Sequence, residues 1–212
     1  MKLSRESPGV CRYKDNTLLV SGCREGNWIG NSVTNDCLFY SVTFNAFKNI
    51  ASMKIYRHGH SLVNVDGKVF PIGGSNTIEG DEVLDSIEML DPATEEWKLL
   101  KTKLHFARKY HQAVAHKHFI YVFSGYCRGR TTKTIEKYNS ITGKMIIFDV
   151  KLSIGRVGLA LAKVDNDVYL IGGKISKTDA TDVVEIFNLN TEELREGEKV
   201  PFRDFGFTAC SF

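Results

Sequence analysis

The chain has 212 residues, 42% of them apolar and 25% charged, the balance of an ordinary folded domain. A net charge of +3 falls well short of a nucleic-acid-binding footprint, and no run approaches the roughly 18 apolar residues of a membrane-crossing helix. The opening Met1-Lys2-Leu3-Ser4-Arg5-Glu6 lacks the apolar core of a secretion signal, so neither a membrane nor nucleic acid is expected as a partner. Cys11, Cys23, Cys37, Cys127 and Cys210 follow no paired spacing, which suits reduced thiols in a cytoplasmic or nuclear protein. A Cys23–Cys37 bridge across the first polar loop is the one pairing left open.

Strand signals begin at once. Apolar runs at residues 7–13 and 17–22 flank Asp15-Asn16, and residues 36–42 and 44–51 supply two more strands. The next stretch repeats this order, with Ser61-Leu62-Val63-Asn64-Val65, then Asp66-Gly67, then Lys68-Val69-Phe70-Pro71-Ile72. Asp-Gly between two such runs signals a tight hairpin, because glycine takes the positive φ of the turn. His116-Lys117 and Asp165-Asn166-Asp167 mark the same turn in two later stretches. The second run of each stretch closes on a small pair: Ser21-Gly22, Gly73-Gly74, Ser124-Gly125 and Gly172-Gly173. A third run ends in Tyr40-Ser41, Leu90-Asp91, Tyr138-Asn139 or Phe187-Asn188, followed by the apolar anchors Phe47, Trp97, Met145 and Leu194.

Each small pair ends 17 residues after an arginine: Arg5, Arg57, Arg108 and Arg156. Arg203 opens a fifth, partial copy, and the arginines are spaced 52, 51, 48 and 47 residues apart. A strand-rich period of this length means the blades of a β-propeller. The repeats run approximately over residues 5–56, 57–107, 108–155 and 156–202, with 203–212 as the start of another. Within that last piece, residues 205–210 read as one extra C-terminal strand. The fold class is therefore all-β, a propeller of four four-stranded antiparallel blades.

This pattern resembles the kelch repeat, whose glycine pair closes the second strand ahead of a Tyr and a Trp at fixed spacing. Gly73-Gly74 and Trp97 match it in the second copy, and Gly172-Gly173 with Phe187 and Leu194 match more loosely in the fourth. The resemblance covers the chain from Arg5 to Phe212. It implies a protein-binding module, an adaptor, scaffold or substrate receptor, with no cofactor. Kelch rings usually have five to seven blades, so three readings of this chain stay open: a four-bladed ring with a spare strand, a sector completed by self-association, or part of a longer kelch protein.

Two readings of the arginines stand side by side. Rotation about the propeller axis would set Arg5, Arg57, Arg108, Arg156 and Arg203 around one channel mouth, suited to an acidic or phosphorylated segment. The resemblance adds that in some kelch substrate receptors arginines at this position contact acidic groups of a peptide. Alternatively, each arginine braces its own blade through the recurring Glu88, Glu136 and Glu185. The loops after the small pairs offer Trp28, Asn76, Tyr126 and Arg128 as further partner-binding residues. Glu79, Asp81, Glu82 and Asp85 crowd the second loop, opposite Arg128, Arg130 and Lys133 of the next, and match no calcium-loop spacing. His60 and His111 share one repeat position, so a converging metal site is not expected. No nucleophile elbow, phosphate loop or dinucleotide fingerprint occurs, and the expectation is a non-catalytic chain.

Overall fold

The computed structural model describes residues 5–27, 30–79 and 81–209, which form four antiparallel blade sheets, a separate two-stranded hairpin and no helix. Blade 1 comprises Gly9–Lys14, Thr17–Asn27, Gly30–Ser41 and Ala46–Ile50, with Arg5–Glu6 paired to the far end of its second strand. Blade 2 comprises Ser61–Val65, Lys68–Ile72, Ser86–Leu90 and Trp97–Lys103. Blade 3 comprises Gln112–His116, Phe119–Phe123, Thr134–Asn139 and Met145–Lys151, and blade 4 comprises Ala160–Val164, Asp167–Ile171, Val184–Asn188 and Leu194–Glu196. Every blade is a simple meander, each strand pairing with the next in sequence.

The inner hairpins turn where the sequence predicts. Asp66 and Gly67 take φ values of 51° and 80°, the left-handed pair of a two-residue turn. In blade 3 the register pairs His116 with Phe119, so the turn is Lys117-His118 and His116 closes the strand.

Alternation along each strand sends one face towards the preceding blade and the other towards the next. Apolar cores fill the junctions. Tyr13, Leu19, Phe39, Val69 and Trp97 join blades 1 and 2; Phe70, Ile72, Ile120 and Val122 join blades 2 and 3; Phe123, Val168, Leu170 and Phe187 join blades 3 and 4. Trp97 is 2% exposed, and its indole N–H donates to the Ala51 carbonyl at 2.7 Å. No fourth core of this kind joins blade 4 to blade 1 among the described residues. Cys11, Cys23, Cys37 and Cys127 are free thiols, so the Cys23–Cys37 bridge is not formed.

The small-residue pairs mark the closest approach between blades. Gly73 has φ +60°, and a Cβ there would lie 2.5 Å from the Arg108 carbonyl oxygen. Gly74 N–H donates to that oxygen at 2.8 Å, Gly125 N–H to the Arg156 carbonyl at 3.0 Å, and Gly173 N–H to the Asp204 carbonyl at 2.9 Å. A second ladder circles the axis. Gly59 donates to Ser7, Tyr110 to Gly59, Gly158 to Tyr110 and Gly206 to Gly158, at 3.0, 2.7, 3.1 and 2.8 Å.

Both ladders put Asp204, not Arg203, in register with the repeat arginines. Phe207, three residues on, sits against Gly172 as His111 sits against Gly73. Residues 203–209 thus carry the register of a fifth repeat start but no strand, where residues 205–210 were expected to form one; Cys210 lies outside the described residues.

Candidate interaction face

Three of the repeat arginines are built into their own blades. Arg57 donates to the Gly73 carbonyl at 2.7 Å and to Glu88 Oε1 at 2.9 Å, with both side chains fully buried. Arg108 makes the same contacts to the Ser124 carbonyl at 2.9 Å and to Glu136, and Arg156 to the Gly172 carbonyl at 3.2 Å and to Glu185. Burial lowers the pKa of all three guanidiniums, and the paired glutamate acts against it.

The glutamates also hold the incoming link. Glu88 accepts Lys54 N–H at 2.6 Å, Glu136 accepts His105 N–H at 2.7 Å, and Glu185 accepts Ser153 N–H at 2.6 Å. Each Arg–Glu pair therefore clips the link from one blade onto the next.

Arg57, Arg108 and Arg156 are 0% exposed, so a channel-mouth ring of guanidiniums is not what the fold builds. In blade 1 Leu38 stands at the glutamate position, and Arg5 instead grips Asp36. Arg203 is exposed and lies 3.4 Å from Asp182, off the repeat register.

The face above these clips has its own geometry. The loops after the small pairs and the links between blades rise on one side, and over blades 2–4 they bound an open groove of about 560 Å³. Its floor is Lys109, Tyr110 and Tyr126. Lys109 and Tyr110 follow the repeat arginine, and Tyr126 follows the small pair. Two backbone hydrogen bonds of 3.1 and 2.8 Å tie Lys109 to Tyr126. Lys109 Nζ lies 5.4 Å from the centroids of both the Tyr110 and Tyr126 rings. Burial lowers the Lys109 pKa, and the Asp81 carboxylate acts against it. One wall carries Glu79 and Asp81; the others carry Arg130, Lys174 and Lys177.

Tyr110 is the unusual member. Its φ is +53°, at the repeat position held elsewhere by Ser7, Gly59 and Gly158 and in the tail by Gly206. A bulky residue in this left-handed region costs on the order of 1 kcal/mol. Its ring packs against Gly59, where a Cβ would be only 2.7 Å from it. Backbone strain of this kind, at a bulky residue on the floor of a groove, is the kind that gathers at binding sites.

Of the loop residues predicted from sequence, Tyr126 lines the groove. Arg128 is exposed at the tip of the small hairpin formed by Tyr126–Cys127 and Arg130–Thr131, outside the groove walls. Asn76 is half-buried in the loop beyond Ser75 and is not a wall residue, and Trp28 lies outside the described residues. Lys109, Tyr110, Lys174 and Lys177 were missed. For Lys109, Tyr110 and Lys174 the signal was position, one or two residues past a repeat landmark; Lys177 lies four past Gly173.

Nearer the axis, His60 and His111 line a cavity of about 210 Å³. His60 Nε2 meets Ser21 Oγ at 2.9 Å. No group of three or more His, Cys, Asp or Glu side chains suits a metal among the described residues.

A kelch-motif family model matches residues 56–103. Kelch-like protein 15 of Danio rerio is 23% identical over 207 residues, covering 84% of this chain and 33% of that protein. The chain carries kelch repeats. Kelch-like protein 7 of Mus musculus is 30% identical over 121 residues, covering 57% of this chain and 20% of that protein. The kelch chain thus spans about a third or less of the length of these curated relatives. The solved structure of YjhT superposes with a TM-score of 0.81 at 14% identity, covering 97% of this kelch chain and 68% of that one, which shows the propeller fold.

Proposed function

We propose that this chain is a non-catalytic protein-interaction module, of the substrate-receptor or scaffold type, that takes an anion-bearing segment of a partner protein in the groove over blades 2–4. The kelch repeats and propeller fold support an interaction module. The observation that carries the site is the groove floor, where a strained Tyr110, Tyr126 and the buried Lys109 converge from two repeat landmarks. Tyrosine is prominent at interface hot spots because a large rigid surface carries a polar tip. The cations Arg130, Lys174 and Lys177 on the walls supply the attraction for acidic groups that the buried arginines do not.

The test is partner capture from cell extract by the wild type beside Tyr110→Gly. Glycine takes φ +53° without strain, so melting should stay within a few degrees of wild type. The expected result is a captured protein whose yield falls at least about tenfold in the variant, the effect of losing one interface hot spot. Equal capture by both proteins would move the site off the groove.

A second reading is self-association. The face of blade 1 turned away from blade 2 carries Val10, Leu18, Val20, Leu38 and Tyr40, with Val10 51% exposed. Light scattering of the same two proteins separates the readings, because a dimer formed through that face would persist in Tyr110→Gly.

A further inference from the structure

The charges on the groove walls are sorted by sign. Glu79 and Asp81 stand on the blade 2 side, while Arg130 stands on blade 3 and Lys174 and Lys177 on blade 4. None of these five forms an ion pair within 4.0 Å among the described residues. At the opposite end of the blades the charges are paired: Lys98 with Asp91 at 2.8 Å, Arg195 with Asp167 at 2.8 Å, and Lys137 with Glu192.

Two of the groove charges are also held in place. Asp81 Oδ1 accepts the Thr77 hydroxyl at 2.7 Å and Glu82 N–H at 3.0 Å. Lys174 Nζ sits 4.7 Å from the centre of the Phe205 ring, and its backbone bridges to Val157 and Ala180. A uniformly acidic segment crossing this groove would gain at the blade 4 wall and be repelled at the blade 2 wall. Like charges brought together at an interface suppress the wrong partner as strongly as opposite charges favour the right one.

Resting on the groove as the partner site, we propose that it selects a charge-polarised peptide segment. A basic side chain faces Glu79 and Asp81, an acidic one faces Arg130, Lys174 and Lys177, and an apolar or aromatic residue between them covers Tyr110 and Tyr126. The floor sets the apolar centre, because two tyrosine rings line it. The walls set the order of the charges.

The experiment selects a displayed library of random 12-residue peptides against the wild-type chain, Glu79→Lys/Asp81→Lys and Lys174→Glu/Lys177→Glu. Glu79, Asp81 and Lys177 are exposed on loops and Lys174 is half-buried, and each variant is first matched to wild type in its melting temperature. The wild type is expected to enrich peptides with basic and acidic residues on opposite flanks of an apolar one. Glu79→Lys/Asp81→Lys should bind those peptides about tenfold more weakly and enrich acidic residues on both flanks instead. Lys174→Glu/Lys177→Glu should do the converse. A consensus that is uniformly acidic in the wild type and lost in Lys174→Glu/Lys177→Glu would overturn the polarity while leaving the groove as the site. A consensus indifferent to both variants, or none at all, would overturn the groove and the polarity together.

Discussion

Glu136→Ala is expected to destabilise the chain by about 3–5 kcal/mol, the cost of leaving a buried charge without its partner. Glu136 is fully buried and accepts from the Arg108 guanidinium, His105 N–H and the His105 imidazole. Removing it strands the Arg108 charge in the blade and frees the link that carries the chain from blade 2 to blade 3. For a domain of marginal stability that is a large share of the total. Glu136→Gln keeps the shape and one acceptor, so it should retain the fold and lose less, giving a variant whose urea midpoint can be measured.

Blade 1 supplies a contrast. Asp36, the Arg5 partner, has 43% of its side chain exposed, so water can replace it, and Asp36→Ala should cost about 1 kcal/mol or less. Urea unfolding of the three variants checks the ranking. A Glu136→Gln midpoint equal to wild type, together with a larger loss in Asp36→Ala, would contradict the clip account.

The second large effect is acid sensitivity above the carboxylate range. His111 is buried beside Arg108, and desolvation, aided by that charge, lowers its pKa from 6.5 to about 3. His60 is lowered as well, first by burial and then by Arg57. Both rings are therefore neutral in the fold and protonated in the unfolded chain below pH 6.5, so the unfolded state binds more protons. Stability is then complete above the unfolded value and falls as the pH drops below it. For His111 the loss between pH 7.5 and pH 5 is about 2 kcal/mol, from a slope of about 1.4 kcal/mol per pH unit.

The repeat offers a neutral replacement, since Leu159 occupies the same position in blade 4 and is fully buried there. His111→Leu should fold and should remove about 2 kcal/mol of the stability change between those two pH values. An unchanged pH profile in His111→Leu would show that the ring is protonated in the folded state too.

The period, the meander, the hairpin at Asp66-Gly67 and the Arg–Glu pairing were legible because each recurs in several copies. Burial of Arg57, Arg108 and Arg156 was one of two readings of the same spacing. The choice between them depends on which way a side chain leaves the start of the inner strand, and the sequence does not contain that. Arg203 misled for a different reason. A spacing that drifts by a residue between copies cannot separate Arg203 from Asp204, whereas the Gly173–Asp204 and Gly206–Gly158 hydrogen bonds do.

The groove was harder to see. It is assembled on three blades from residues whose type changes from copy to copy, and such changes are what a search for regularity discards. Tyr110 was nonetheless visible in outline, as a tyrosine two residues past its arginine where three other copies have serine or glycine.

The central claim is that a partner meets the groove face. Its most direct measurement places a genetically encoded photo-crosslinking residue at Arg130 in one protein and at Asp165 in another, then irradiates each in cell extract. Arg130 is exposed on the groove wall, and Asp165 is exposed in the inner hairpin turn at the other end of blade 4. The account predicts a discrete crosslinked partner from position 130 and none from position 165. A partner trapped from position 165 and absent from position 130 would contradict it.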